Sequence, residues 1–327
     1  MELYPLKFKP IYKERVWGGN QLSAVLNRKI DSKNKIGESW ELSAVKGDLS
    51  RVTNGFLKGN DIQELIEVYM GELVGDKVFE KYGVELPLLF KLIDSSERLS
   101  VQVHPNDELS LERHKAYGKT EMWYVIDAKP NASIYVGFKK EVNKEQFVQH
   151  LKNGTLLDIM NVEQAKAGDV FFLPAGRIHA IGEGLLIAEI QQTSDVTYRV
   201  YDWGRENNPE TAREMHVDLS LDAIDYNVYN NYKSDYVEKH DEAVKLVECL
   251  YFTTNLLELS EAKKRDYSLL DSFVAYMCLQ ASVEIKYNNT ASEQITKGET
   301  VLIPASLKQI ELIPCDGLAK LLEIYVD

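Results

Sequence analysis

An all-β chain carrying two helical inserts is the fold class the sequence predicts, and three observations carry it. Strand-like alternation of apolar and polar residues recurs along most of the 327 residues. Two stretches, "DIQELIEVYMGELVGDKVFEKYG" (61–83) and "KEQFVQHLKNGTLLDIM" (144–160), switch instead to helical spacing. One β-unit motif also occurs twice: "GDVFFLPAGRIHAI" (168–181) and "GETVLIPASLKQIEL" (298–312) share a glycine, an apolar strand, and Pro-Ala six residues after the glycine.

From the N-terminus, "VWGGNQLSAVL" (16–26) and "IGESWELSAV" (36–45) alternate glycine-bearing turns with apolar positions. The 61–83 helix follows, with Asp61 as its cap. "LPLLFKLID" and "LSVQVHPN" read as a strand pair joined by "SSER", and "TEMWYVIDA" and "SIYVGF" as a second pair turning at "KPNA", with a charged stretch, "ELSLERHKAYG", between them. After the 144–160 helix the chain is strand–turn–strand to "VYDW". Residues 206–242, polar and rich in Asn, Asp and Tyr, read as a connecting segment, and 243–327 as short strands with turns at "YNNT" and "TKGET". The expected organisation is a 1–240 domain holding both inserts and a smaller 241–327 β domain. Counting along the repeat, Gln309 falls where the first copy has His179.

A net charge of −13 and a pI near 5.1 exclude a broad nucleic-acid face, though not a small phosphate pocket. Cys249, Cys278 and Cys315 are scattered and odd in number, which gives neither a disulfide framework nor a cysteine zinc site and fits a reducing compartment. With no apolar leader and no long apolar run, the expectation is a soluble cytoplasmic protein, monomeric or weakly self-associating, with no membrane partner.

In a strand, residues i and i+2 share a face. Gln102 and His104 therefore project together, away from Val101 and Val103; Glu121, Trp123 and Val125 share a face, as do Glu189 and Gln191. The frame G-x5-P-x-G-x2-H (Gly168, Pro174, Gly176, His179) resembles the second conserved box of cupin (jelly-roll) barrels, and Gln102-x-His104 followed by Glu121 resembles the first, with a longer spacer. Two His, one Glu and one Gln make an N2O2 donor set. It suits one divalent ion per chain, Zn2+ first, with Fe2+, Co2+ or Mn2+ next. Amides are poor zinc ligands, so Gln102 has the alternative of a hydrogen bond to a ligand. The remaining histidines, His114, His150, His216 and His240, read as surface residues, and the Tyr-rich 224–236 stretch as packing. The 241–327 domain, lacking the His, reads as a degenerate second cupin.

"VQVHPND", "GKTEMWYVI", "LPAGRIHAIGEG" and "EIQQTSDVTYRVYDWGR", with "VWGG" and "ESWELSA" upstream, together resemble the type I mannose-6-phosphate isomerase (phosphomannose isomerase) family over roughly residues 7–217, in its short bacterial form. The resemblance implies a zinc-dependent aldose–ketose isomerase acting between mannose 6-phosphate and fructose 6-phosphate. It implies Gln102, His104, Glu121 and His179 as metal ligands, Lys119 and Arg199 as active-site cations, Glu189 as a carboxylate of the site, and Ser100 in the substrate pocket. Proton transfer between C2 and C1 needs a base, for which Glu189 is the candidate, with a charge partner for Arg199 or Lys119 as its alternative role. Arg177, Lys91 and Arg205 are further candidates for the phosphate. Two other readings stand beside this one: a related metal-dependent isomerase or epimerase of another sugar phosphate, and a binding cupin that keeps the metal without catalysis.

Overall fold

The computed structural model describes residues 2–31, 34–288 and 291–326, so part of the turn expected at "YNNT" (Asn289, Thr290) lies outside the described residues. The chain folds into two β-sandwiches, each made of two antiparallel sheets. In the first, a large sheet runs Val170–Leu173, Glu121–Ala128, Leu185–Gln192, Leu88–Ser95, Ile36–Leu42, Ile11–Gly19; a small sheet runs Met160–Gln164, Ser133–Phe138, His179–Ile181, Val101–Val103, Tyr198–Tyr201. The expected all-β class with helical inserts and a second β unit holds, but the barrel is open: among the described residues no pairing joins the large sheet to the small one.

Both expected strand pairs are corrected. Leu88–Ser95 lies in the large sheet and Val101–Val103 in the small; Glu121–Ala128 and Ser133–Phe138 separate in the same way. The reason is that both edges of each large-sheet strand are taken by strands distant in sequence. Leu88–Ser95 is flanked by Leu185–Gln192 and Ile36–Leu42, and all eight of its residues are buried. A strand covered on both faces belongs in a sheet interior, and alternation does not say which neighbour it takes.

The 61–83 insert is helical but broken into Ile62–Tyr69, Gly71–Val74 and Asp76–Tyr82, at Met70 (φ 46°) and Gly75 (φ 95°). Asp61 caps it reciprocally with Glu64. The 144–160 helix stops at Lys152; a short turn of helix, Leu156–Asp158, leads into a strand at Met160. Two helices were hidden in polar stretches: Asp107–His114, capped by Asn106, and Val217–Ala223.

The second sandwich pairs a large sheet, Leu6–Lys7, Thr300–Ile303, Val274–Gln280, Ala319–Tyr325, Thr253–Leu259, Ala243–Glu248, with a small one, Lys263–Asp266, Gln309–Pro314, Ser282–Tyr287, Ala291–Thr296. Its first strand comes from the N-terminus, which crosses the division expected at residue 240. The outward faces of both large sheets (Phe90, Leu92 and Tyr124; Ala275, Leu322 and Ile324) share one core with the 61–83 helices. Gln309 does not take the place of His179: it is exposed, and the neighbouring Ile310 faces the interior. No helix among the described residues is long and apolar enough to cross a membrane.

Candidate active site

Alternation builds the site. On Leu185–Gln192, Leu186, Ala188 and Ile190 enter the shared core, so Ile187, Glu189 and Gln191 face into the first sandwich; on Glu121–Ala128, Met122 and Tyr124 enter that core, leaving Glu121, Trp123 and Val125 inside. Strand register then sets a row across the large sheet, Trp123–Glu189–Lys91–Trp40, with Glu121 beside Gln191. On the small sheet the facing row is His179–Gln102–Arg199.

Where the rows meet, His104, Glu121 and His179 bring one ligand atom each within 4.8 Å of one another. His179 Nε2 lies 3.3 Å from Glu121 Oε1, and His104 Nε2 lies 3.6 Å from Glu121 Oε2. Tetrahedral zinc with bonds of about 2.0–2.1 Å needs donors roughly 3.3 Å apart. Each imidazole donates its Nδ1–H to a backbone carbonyl, His104 to Val196 at 3.0 Å and His179 to Arg177 at 2.9 Å, which turns both Nε2 lone pairs inward. His104 Nε2 and both Glu121 oxygens are buried without a hydrogen-bond partner. Such orphaned atoms are costly unless something binds them, and an imidazole–carboxylate set fits a divalent metal. The Gln102 amide nitrogen sits 3.3 Å from His179 Nε2, and a half-turn of the amide presents its oxygen at the same place.

The electrostatics agree. Burial, with the nearby Lys119 charge, holds His179 down to about 4, and burial and Lys119 hold His104 well below the usual imidazole range, so both are neutral ligands at neutral pH. Burial and then the Glu189 charge push Glu121 up to about 8. At Glu189 burial is outweighed by Lys91 and Lys119, and the carboxyl stays below its usual range. Its oxygens accept from Lys91 Nζ at 2.9 Å and Trp123 Nε1 at 2.7 Å.

Beside the cluster opens a cavity of about 310 Å³. Of the residues expected from sequence, Ser100, Gln102, Lys91, Lys119, Glu189 and Arg199 line it, and Lys119 Nζ reaches within 3.6 Å of Glu121. Arg199 donates from Nε to Ser100 Oγ at 3.2 Å. Two phosphate candidates are displaced. Arg177 is buried over the rings of Tyr229 and Tyr232, at 4.0 and 5.0 Å, and Arg205 is bound to Asp202 and the Arg98 carbonyl; neither lines the cavity. Arg177 precedes His179 by two, but the strand begins only at His179, so its side chain does not follow strand parity. The residues missed are Arg15, Glu38, Trp40 and Arg213. Glu38 and Trp40 obey the same i, i+2 rule that found Gln102 and His104; Arg213 sits outside any helix or strand and had no such signal.

A family model for the phosphomannose isomerase type I catalytic domain matches residues 5–153. Mannose-6-phosphate isomerase ManA of Bacillus subtilis is 35% identical over 321 residues, 95% of this chain and 96% of that protein. The mannose-6-phosphate isomerase of Streptococcus mutans is 32% identical over 305 residues, 93% of each chain. The crystal structure of the mannose 6-phosphate isomerase from Bacillus subtilis superposes with a TM-score of 0.88 at 30% identity, covering 99% of this chain and 100% of that one. A variant of the Salmonella typhimurium phosphomannose isomerase, 16% identical with a TM-score of 0.82, shares the fold. The chain belongs to the type I phosphomannose isomerase family, whose members are aldose–ketose isomerases.

Proposed function

We propose that this chain interconverts mannose 6-phosphate and fructose 6-phosphate, using one Zn2+ held by His104, Glu121, His179 and the Gln102 amide. The observation that carries the reading is the buried, orphaned His–Glu–His cluster opening onto a cavity that also holds Glu189, Lys91, Lys119 and Arg199. When bound, the metal supplies a Lewis acid for the sugar's carbonyl and adjacent hydroxyl.

The rest falls to the chain's own groups. Isomerisation takes a proton from C2 of the aldose, leaves an enediol, and returns a proton to C1, while the hydroxyl proton passes from O2 to O1. Glu189 is the base: it is ionised at neutral pH, and Lys91 and Trp123 fix its orientation. Lys119 donates to the sugar oxygens from the cavity wall. Arg199 is too basic to take a proton and answers negative charge on the enediolate or phosphate. His104 and Glu121 are unavailable as bases while they ligate. The acidic charge and three free cysteines support a cytoplasmic setting.

The test is a coupled assay with mannose 6-phosphate on protein stripped by chelator and then reloaded. Activity is expected to vanish and to return with zinc at about one ion per chain. Well-folded, zinc-loaded protein without turnover counts against the substrate assignment.

A further inference from the structure

At one side of the cavity stands a group of arginines, and one of them, Arg213, has no part in the proton transfer. Arg213 and Arg199 both line it. Asp202, fully buried, accepts from Arg213 Nε at 3.0 Å and Nη2 at 2.6 Å, and the same carboxylate accepts from Arg205 Nη2 at 2.7 Å. One carboxylate thus faces two guanidinium groups, and Arg199 adds a third cation tied to the same segment. Its Nη1 donates at 2.7 Å to the carbonyl of Glu214, the residue after Arg213. With Nε and Nη2 of Arg213 spent on Asp202, and Nε and Nη1 of Arg199 spent on Ser100 and Glu214, each guanidinium keeps one NH2 group for the cavity. In a chain of net charge −13, two guanidinium groups on one cavity wall, Arg213 pinned by a buried carboxylate, suit an anion even with Glu97 3.7 Å from Arg205 and Asp195 in the same lining.

We propose that Arg213 is a specificity-determining residue that binds the phosphate of the substrate together with Arg199, and that Asp202 is the positioning residue that aims it. This deepens the sugar-phosphate reading and rests on it only for what the phosphate is attached to.

The probe is inorganic phosphate, titrated calorimetrically into the zinc-loaded enzyme and used as a competitive inhibitor. In Arg213→Ala, phosphate binding is expected to weaken about ten- to a hundredfold, the loss of charge-assisted hydrogen bonds, and KM for mannose 6-phosphate to rise in parallel. Its kcat should stay within about threefold. Arg213→Gln, which keeps a donor for Asp202, covers the case in which alanine loosens the segment, and should show the same loss of phosphate affinity. A folded variant that binds phosphate as tightly as the parent, or loses kcat at unchanged KM, overturns the proposal. Phosphate binding is read without turnover. A weakened phosphate site in an enzyme that ignores mannose 6-phosphate therefore supports the role of Arg213 while counting against the substrate.

Discussion

Across three strands of each sandwich runs a matching row of side chains: Trp123–Glu189–Lys91 in the first and Tyr276–Glu323–Asn255 in the second. In both rows a buried carboxylate accepts from an aromatic donor on one side, Trp123 at 2.7 Å or Tyr276 at 3.0 Å, and from an amine or amide on the other, Lys91 at 2.9 Å or Asn255 at 2.9 Å. What differs is the facing wall. Opposite Glu323, Arg265 reaches across with Nε at 3.0 Å and Nη2 at 2.8 Å, and Tyr267 adds a hydroxyl at 2.6 Å, so the interior is filled and satisfied. Opposite Glu189 stand His179, Gln102 and Arg199, with the cavity between. A buried carboxylate does not by itself make a site; the open valences of the wall it faces do.

One substitution made at both places tests that contrast most sharply. Glu189→Gln should lower kcat by about 10²–10⁴-fold, the usual range for a lost general base, and should also cost about 3 kcal/mol of stability, because it leaves the buried Lys91 ammonium without its charge partner. Glu323→Gln should leave kcat within about twofold. It should cost about 2 kcal/mol of stability, because Arg265 is partly exposed and keeps some solvation, and Tm should fall by roughly 5 °C. Steady-state kinetics and thermal melts on the pair read both arms. A large loss of kcat in the Glu323 variant would mean that the second row is not merely structural.

The part of this contrast legible in the sequence was the part set by local periodicity. Gln102 and His104, and Glu189 and Gln191, are assigned to common faces because a strand has period two; the structure sets Gln102 and Glu189 in the cavity lining and His104 in the buried cluster beside it. Pairing was not legible, because register partners such as Gln102 and His179 are 77 positions apart and no local signal selects them. Counting along a repeat failed for a related reason: Gln309 keeps the spacing of His179, but a slip of one residue moves a side chain to the opposite face. The arginines failed because long side chains go where a partner is. Arg177 stacks on tyrosines of the 224–236 segment, whereas Asp202 turns Arg213, in an irregular stretch, toward the cavity.

Acid should separate the two sandwiches next. In metal-stripped protein, the folded state holds His104 and His179 neutral, down to about 4 for His179, while the unfolded chain protonates imidazole near 6.5. As pH falls from 6.5 toward 4 the unfolded state takes up protons that the folded state refuses, so stability falls across that window. Glu121, pushed up to about 8, works in the opposite direction and offsets part of that loss. Residues 243–327 contain no histidine. Hydrogen exchange should therefore show the Glu121–Ala128 strand losing protection before Val274–Gln280 does; simultaneous loss would show that the sandwiches open as one unit.

The smallest expected effect concerns the point where the filled sandwich touches the open one. Tyr251, in the turn between Ala243–Glu248 and Thr253–Leu259, donates to Asp107 Oδ2 at 2.6 Å. Burial and then the hydrogen bond to Asp107 push its phenol up, which keeps it a donor. The other Asp107 oxygen accepts from the Gly118 amide at 2.8 Å and Gln192 Nε2 at 3.0 Å, and Gln192 Oε1 accepts from the Thr120 amide at 2.8 Å. Thr120 lies between Lys119 and Glu121, so one hydroxyl of the second sandwich braces the loop that delivers both. Tyr251→Phe should lower kcat about three- to tenfold at unchanged KM, the effect of loosening a brace worth about 1 kcal/mol. Tyr267→Phe, which removes a hydroxyl from Glu323 instead, should leave kcat alone. Equal behaviour of the two variants would confine the second sandwich's contribution to the core it shares with the first.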